Sequence, residues 1–338
     1  EDNVEEAGEF ISGKGYQMAT SGGDETTFTG DIETSDVEID IVNNEGGGGI
    51  DVDPSDGTRW NLVANPYPCY ISVDSFLSEN DDVLHANHIT VWGWNGTSYD
   101  QYNQATGGEI APGQGFMVGA IGPVTTTSDL TFTTDMHTTN GSDDFIIGDI
   151  VEDNRGELFI AINQSGLSHR TRLYFIENMT DGLNPGYDGA SFEMVNNMIY
   201  SRLVDEDQGI DFDIQSLAYS EMWDKVIPIG VNAYGGEEMI ISISHRTTPA
   251  DLNIYLEDTE QGTMTNLLEE DYILTPTSDL SGAGRFFIHM SADTMSNEDV
   301  STSLLNAYKE VDASYITIEG LATQTNETKV SLYNILGR

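Results

Sequence analysis

The chain has 338 residues, with 12 Lys and Arg against 58 Asp and Glu, for a formal net charge of −46. Neutralising phosphates takes clusters of basic side chains, so this balance excludes nucleic acid and anionic membrane surfaces as partners. The 38% of hydrophobic residues is enough for packed cores, no apolar run approaches the ~20 residues of a membrane-crossing helix, and the single Cys69 excludes an internal disulfide.

In chain order, Ile11-Ser12-Gly13-Lys14-Gly15-Tyr16-Gln17-Met18 echoes Ala111-Pro112-Gly113-Gln114-Gly115-Phe116-Met117-Val118. Both place Gly-x-Gly-aromatic ahead of an apolar strand, where Gly supplies the turn and the aromatic enters the core. A nucleotide loop would instead open a helix. Residues 1–25 therefore read as the tail of an upstream repeat unit, and the chain as a fragment of a longer one whose export leader lies upstream or has been removed. Residues 26–141 form a first β-sandwich module. Its strands are Thr26–Gly30, Val37–Val42 and Arg59–Ala64, with an acidic Gly-rich loop at 45–57 and a stop at Asn65-Pro66-Tyr67-Pro68. A hairpin follows, His88–Trp94 and Thr97–Tyr102 about an Asn95-Gly96 turn. Cys69, between Pro68 and Tyr70, reads as a small buried hydrophobe rather than a reactive thiol.

Residues 142–295 form a second, jelly-roll-like sandwich with strands at 157–162, 171–176, 226–231, 239–244, 251–256 and 285–290, separated by turn signals. Helix is expected only as a short turn near Asp74–Leu77. Residues 296–338 begin as a polar linker and continue with three short strand-like pieces, at 304–308, 315–319 and 329–334. The fold class is all-β.

Several of these segments together resemble a known family. Trp60-Asn61-Leu62-Val63-Ala64-Asn65-Pro66-Tyr67-Pro68 is similar to the GWNLVGNPYP signature of large secreted Bacteroidota proteins, with Arg59 and Ala64 in place of two glycines. Ala111–Phe116 resembles the segment that closes the same module. Thr180-Asp181-Gly182-Leu183-Asn184-Pro185-Gly186-Tyr187-Asp188 resembles a loop of the next. The stretch containing Val330, Leu332, Tyr333, Asn334, Leu336 and Gly337 looks like the middle of a type IX C-terminal sorting domain, Ig-like and here partial. The resemblance implies export by the type IX machinery to the cell surface or medium. It fixes the route better than the task, because the family's upstream parts range from adhesins to hydrolases.

Candidate sites are few. Asp205, Asp207, Asp211 and Asp213 stand two to four residues apart around Gly209, and calcium takes 6–8 oxygen ligands from such flexible loops. A solvated acidic hairpin is the plainer reading, as it is for Asp51–Gly57 and for Asp181, Asn184 and Asp188. Calcium is the only cofactor suggested. Trp92 and Trp94 share a strand face, with Tyr99 and Tyr102 across the hairpin; such a row stacks on sugar rings, or else is core. His85 and His88, near Asp81 and Asp82, suit zinc poorly and a polar loop better. No nucleophile elbow, phosphate loop or paired Cys motif is present. The expectation is a non-enzymatic structural or adhesive surface protein, its edge strands pairing with other copies. The alternative is a non-catalytic, carbohydrate-binding tail of a secreted hydrolase.

Overall fold

A computed structural model describes residues 10–17, 30–43, 59–94, 99–122, 126–139, 155–192, 196–292, 306–308 and 317–319. The first module carries β1 (Val37–Asn43), β2 (Trp60–Ala64), β3 (Tyr70–Ser72), helix α1 (Val73–Glu79), β4 (Val91–Trp94), β5 (Tyr99–Tyr102), β6 (Glu109–Ile110), β7 (Gly115–Gly119), β8 (Thr126–Phe132) and β9 (His137–Thr138). These form three antiparallel sheets, ordered β1-β8, β2-β7-β4-β5 and β6-β3-β9. Ile41, Val63, Phe76, Val91, Phe116 and Leu130 pack between them. The seven-residue α1 starts at Ser72, whose hydroxyl accepts from the Ser75 N–H at 3.3 Å, and its Phe76 wedges against the rings of Phe116 and Phe132.

A side chain caps one residue on each outer edge of the β1-β8 pair. The Asn61 carboxamide accepts from Val42 N at 3.0 Å and donates to Val42 O at 2.9 Å. On the far side the Asn80 carboxamide accepts from Thr131 N at 2.8 Å and donates to Thr131 O at 2.9 Å. Each amide satisfies the backbone groups that an added strand would need. Asn65 donates to the carbonyls of Cys69, Ile110 and Ala111 and accepts from Tyr67 N, while the Tyr67 hydroxyl donates to Phe132 O at 2.8 Å. Burial, reinforced by Asp36 and Glu33, pushes the Tyr67 hydroxyl up to about 12. The polar residues of the Trp60–Pro68 signature are thus engaged with backbone.

The two echoing segments flank one strand. Phe116 pairs with Val63 on one side of β2, and Lys14 pairs antiparallel with Val63 on the other. Gly15 is required there, since a Cβ would stand 2.6 Å from Leu62 Cγ and 2.8 Å from Val63 O. The segment expected to be the tail of an upstream unit therefore lies on the first module's own sheet.

The second module carries β10 (Gly156–Gln164), β11 (Leu167–Ile176), β12 (Gly189–Ala190), β13 (Met198–Ser201), β14 (Phe212–Ala218), β15 (Asp224–Asn232), β16 (Met239–Arg246), β17 (Asn253–Asp258), β18 (Thr263–Asn266), β19 (Tyr272–Leu274) and β20 (Phe286–Ser291). They make one sheet ordered β18-β17-β20-β15-β13-β14-β11-β10-β16-β19, with β12 beside β14 and, among the described residues, only the β11-β14 pairing parallel. The sheet curls into a near-closed barrel around Leu158, Ile160, Leu173, Phe175, Ile229 and Ile288. Its ends meet through side chains. Asp258, on β17 and fully buried, accepts from the Tyr272 hydroxyl on β19 and from Arg285 Nε and Nη2 at 2.9 and 2.7 Å. Burial works against the Asp258 charge, but these donors and the Gln261 N–H hold its carboxyl below the usual range. The all-β class is what the alternating pattern indicated.

Farther on, β21 (Asn306–Tyr308) and β22 (Thr317–Glu319) pair antiparallel. Val330, Leu332, Tyr333, Asn334, Leu336 and Gly337 lie outside the described residues, as do Thr26–Thr29, the acidic loop at 45–57 and the Asn95-Gly96 turn. One register differs from expectation. An Asn95-Gly96 turn places Trp94 opposite Thr97, whereas the ladder pairs Trp94 with Tyr99. The shift is two residues, so each side chain keeps its face.

Candidate functional site

Trp92 and Trp94 point to one face of β4, while Val91 turns into the first module's core. Across the ladder Trp92 faces Gln101 and Trp94 faces Tyr99, while Trp92 also pairs with Met117. Tyr102 pairs with Val91 and packs on the core, so it leaves the aromatic row expected of it. The second module lies on this face. Phe192, just beyond β12, stands 4.8 Å from the Trp60 ring, 6.0 Å from Trp92 and 5.2 Å from Tyr99. Trp60 and Trp92 meet at 4.5 Å, and Trp94 and Tyr99 at 5.1 Å. Burial divides the row: Trp92 is fully enclosed, whereas Trp94 is 48% and Tyr99 39% exposed. Of the two tryptophans expected to meet a ligand, only Trp94 is presented.

Polar groups complete the seam. Gln101 Nε2 donates to Ala190 O at 3.2 Å and to Asp213 Oδ2 at 3.1 Å. Ser191 Oγ donates to Asp213 Oδ1 at 2.8 Å, and His169 Nε2 lies 3.8 Å from the same oxygen. Arg172 Nη1 donates to Gln101 O, Asn103 Nδ2 to Tyr187 O, and Gln104 N to Gly186 O. Ala105 joins Tyr174, Ile176 and Ile214 in an apolar cluster shared by the two modules. Gly189 lets the chains approach, since a Cβ there would stand 2.9 Å from Gln101 Oε1 and 3.3 Å from Thr90 Oγ1. Burial raises the Asp213 carboxyl against the pull of His169, Ser191 and Arg172. Burial, with His85 and Arg59 nearby, pushes His88 down to about 3, so its imidazole is neutral.

The four aspartates proposed as calcium ligands are not gathered. Asp205 is exposed and its N–H donates to Asp181 O. Asp207 Oδ1 accepts from Gly209 N at 2.8 Å, closing its own turn. Asp211 Oδ1 lies 2.7 Å from Arg202 Nε, an ion contact without hydrogen-bond alignment, and burial pushes its carboxyl up to about 6 despite that cation. Asp213 is not in a loop at all, because Phe212–Ala218 is the strand β14. The neighbouring set is equally occupied. Asp181 pairs with buried Lys225 at 2.7 Å, and Asn184 bonds the Thr180, Gly182 and Ser216 carbonyls. Asp188 accepts from Asn184 N and Ser216 N, both at 2.6 Å, while burial lifts it to about 7. His85 Nδ1 accepts from Asn87 N, and His88 is enclosed. Among the described residues no group of three or more His, Cys, Asp or Glu could hold a metal ion. Asp51–Gly57 lies outside them. Cys69 is half-buried against the first core, and burial raises its thiol.

The sequence reading missed Phe192, Gln101, Ser191 and His169, whose roles arise only when distant segments meet. Comparison with protein families gives a match to one described as a domain of unknown function (DUF8693), over residues 2–104 and 92–290. The chain belongs to that family. The matched stretches span both modules of this DUF8693 protein and the seam between them. No curated protein and no solved structure matches it.

Proposed function

We propose that this DUF8693 protein is a non-enzymatic extracellular surface protein, structural or adhesive in role, exported by type IX secretion. The observation that supports a mechanical role best is the seam, where aromatic rings and a hydrogen-bonded Asp213–Gln101 pair lock two β-modules together. Side chains of the secretion-family signature, Asn61, Asn65 and Tyr67, are spent on holding backbone, which suits a scaffold. The route rests on the likeness of Val330–Arg338 and the Trp60–Pro68 stretch to secreted Bacteroidota proteins. The amides that cap Val42 on β1 and Thr131 on β8 hinder strand pairing there and favour an adhesive reading through side-chain surfaces.

The test is localisation in a bacterium that possesses the machinery. The intact protein is expected on the cell surface, cut by added protease, and deletion of residues 330–338 is expected to hold it inside the outer membrane. Surface exposure that survives the deletion, or that persists when the secretion channel is inactivated, contradicts the route. A carbohydrate-binding role is favoured by one observation, the exposure of Trp94 and Tyr99 side by side.

A further inference from the structure

Trp94, Tyr99, Phe192 and Trp60 form one strip of rings that crosses from the first module to the second. Successive centroids are 5.1, 5.2 and 4.8 Å apart, and successive planes are inclined by 62°, 51° and 62°. Its outer end, Trp94 and Tyr99, is open to solvent, while Trp60 and Phe192 are half-buried. The strip exists only when the modules are joined, since Phe192 comes from the second.

We propose that this strip binds a neutral, soluble glucan, with sugar rings stacked on the exposed rings of Trp94 and Tyr99. Three features select that ligand. Amphipathic rings present an apolar face to sugar C–H groups while polar neighbours take up hydroxyls. A net charge of −46 repels uronate and sulfate polymers, leaving neutral chains. A flat ribbon such as cellulose needs coplanar rings, and no neighbouring pair in the strip is coplanar, which leaves soluble chains. The proposal deepens the adhesive reading by naming its ligand class. It is tested on purified protein, so its failure leaves the export route standing.

The experiment is affinity electrophoresis of the full chain in gels containing laminarin, amylopectin or alginate, with sedimentation against crystalline cellulose. Retardation by laminarin or amylopectin is expected, with neither alginate nor cellulose retaining the protein. Trp94→Ala and Tyr99→Ala are each expected to weaken the interaction at least tenfold, and Trp94→Phe to retain most of it. Tyr234→Ala, which removes an exposed aromatic from the second module, is expected to change nothing. Should Trp94→Ala melt early, Tyr99→Ala and glucan quenching of wild-type tryptophan fluorescence decide the matter. Free migration in both glucans, equal retention by alginate or cellulose, or undiminished binding by folded Trp94→Ala overturns the proposal.

Discussion

At the scale of single residues, Asp258 carries the closure of the barrel. Removing one partner of a buried, hydrogen-bonded ion pair typically costs about 3–5 kcal/mol, so Asp258→Asn is expected to lower the unfolding free energy by that amount, seen as a lower urea midpoint at an unchanged slope. Its folded carboxyl lies below the unfolded value of roughly 3.9, so its contribution is present above that pH and fades as pH falls through the folded value. Two other buried groups pull in opposite directions. Asp188, raised to about 7, makes the folded state bind more protons, which adds stability as pH falls from 8 toward 5. His88, lowered to about 3, lets the unfolded state bind more, which removes stability below roughly pH 6.5. Each is worth roughly 2–3 kcal/mol over that range, and the raised carboxyls of Asp211 and Asp213 act in the same direction as Asp188, so the wild-type protein is expected to gain stability on balance from pH 8 to 5. Relative to wild type, the melting temperature of Asp188→Asn should fall toward acid and that of His88→Phe should rise. Identical pH profiles for all three would contradict the assignment.

At the scale of elements, the strands were legible wherever apolar and polar residues alternate, as in Val37–Val42 and Met239–Ser244. They were lost where another pattern overlay them. Phe212-Asp213-Ile214-Gln215 alternates as a strand does, but the aspartates ahead of it drew Asp213 into a supposed calcium loop. The edge caps had no local signal, because Asn61 meets Val42 and Asn80 meets Thr131 across 19 and 51 residues. An unpaired buried backbone group costs roughly 1–3 kcal/mol. Asn61→Ala and Asn80→Ala are each expected to lose that much in chemical denaturation. Because they uncover edges, they should also raise light scattering at high concentration. Stability loss without association would show that the amides pack rather than guard.

At the scale of the whole molecule, the all-β class was readable from alternation and turn spacing, but the contact between the two sets of sheets was not. Trp60, Trp92 and Phe192 converge from three segments, and Gln101 reaches Asp213 across 112 residues. Nothing in local pattern distinguishes a tryptophan that fills a seam from one that faces solvent, which is why Trp92 and Trp94 were read alike. The seam is also why the aromatic strip is composite. Gly189→Ala, which drives a methyl against Gln101 Oε1, is expected to loosen the seam while leaving each core intact. The most direct measurement is calorimetry of the full chain. If the seam unites the modules, the wild type shows one unfolding transition whose calorimetric and van't Hoff enthalpies agree, and Gly189→Ala splits it in two. Two separate wild-type transitions, unmoved by Gly189→Ala, would contradict a shared rigid unit.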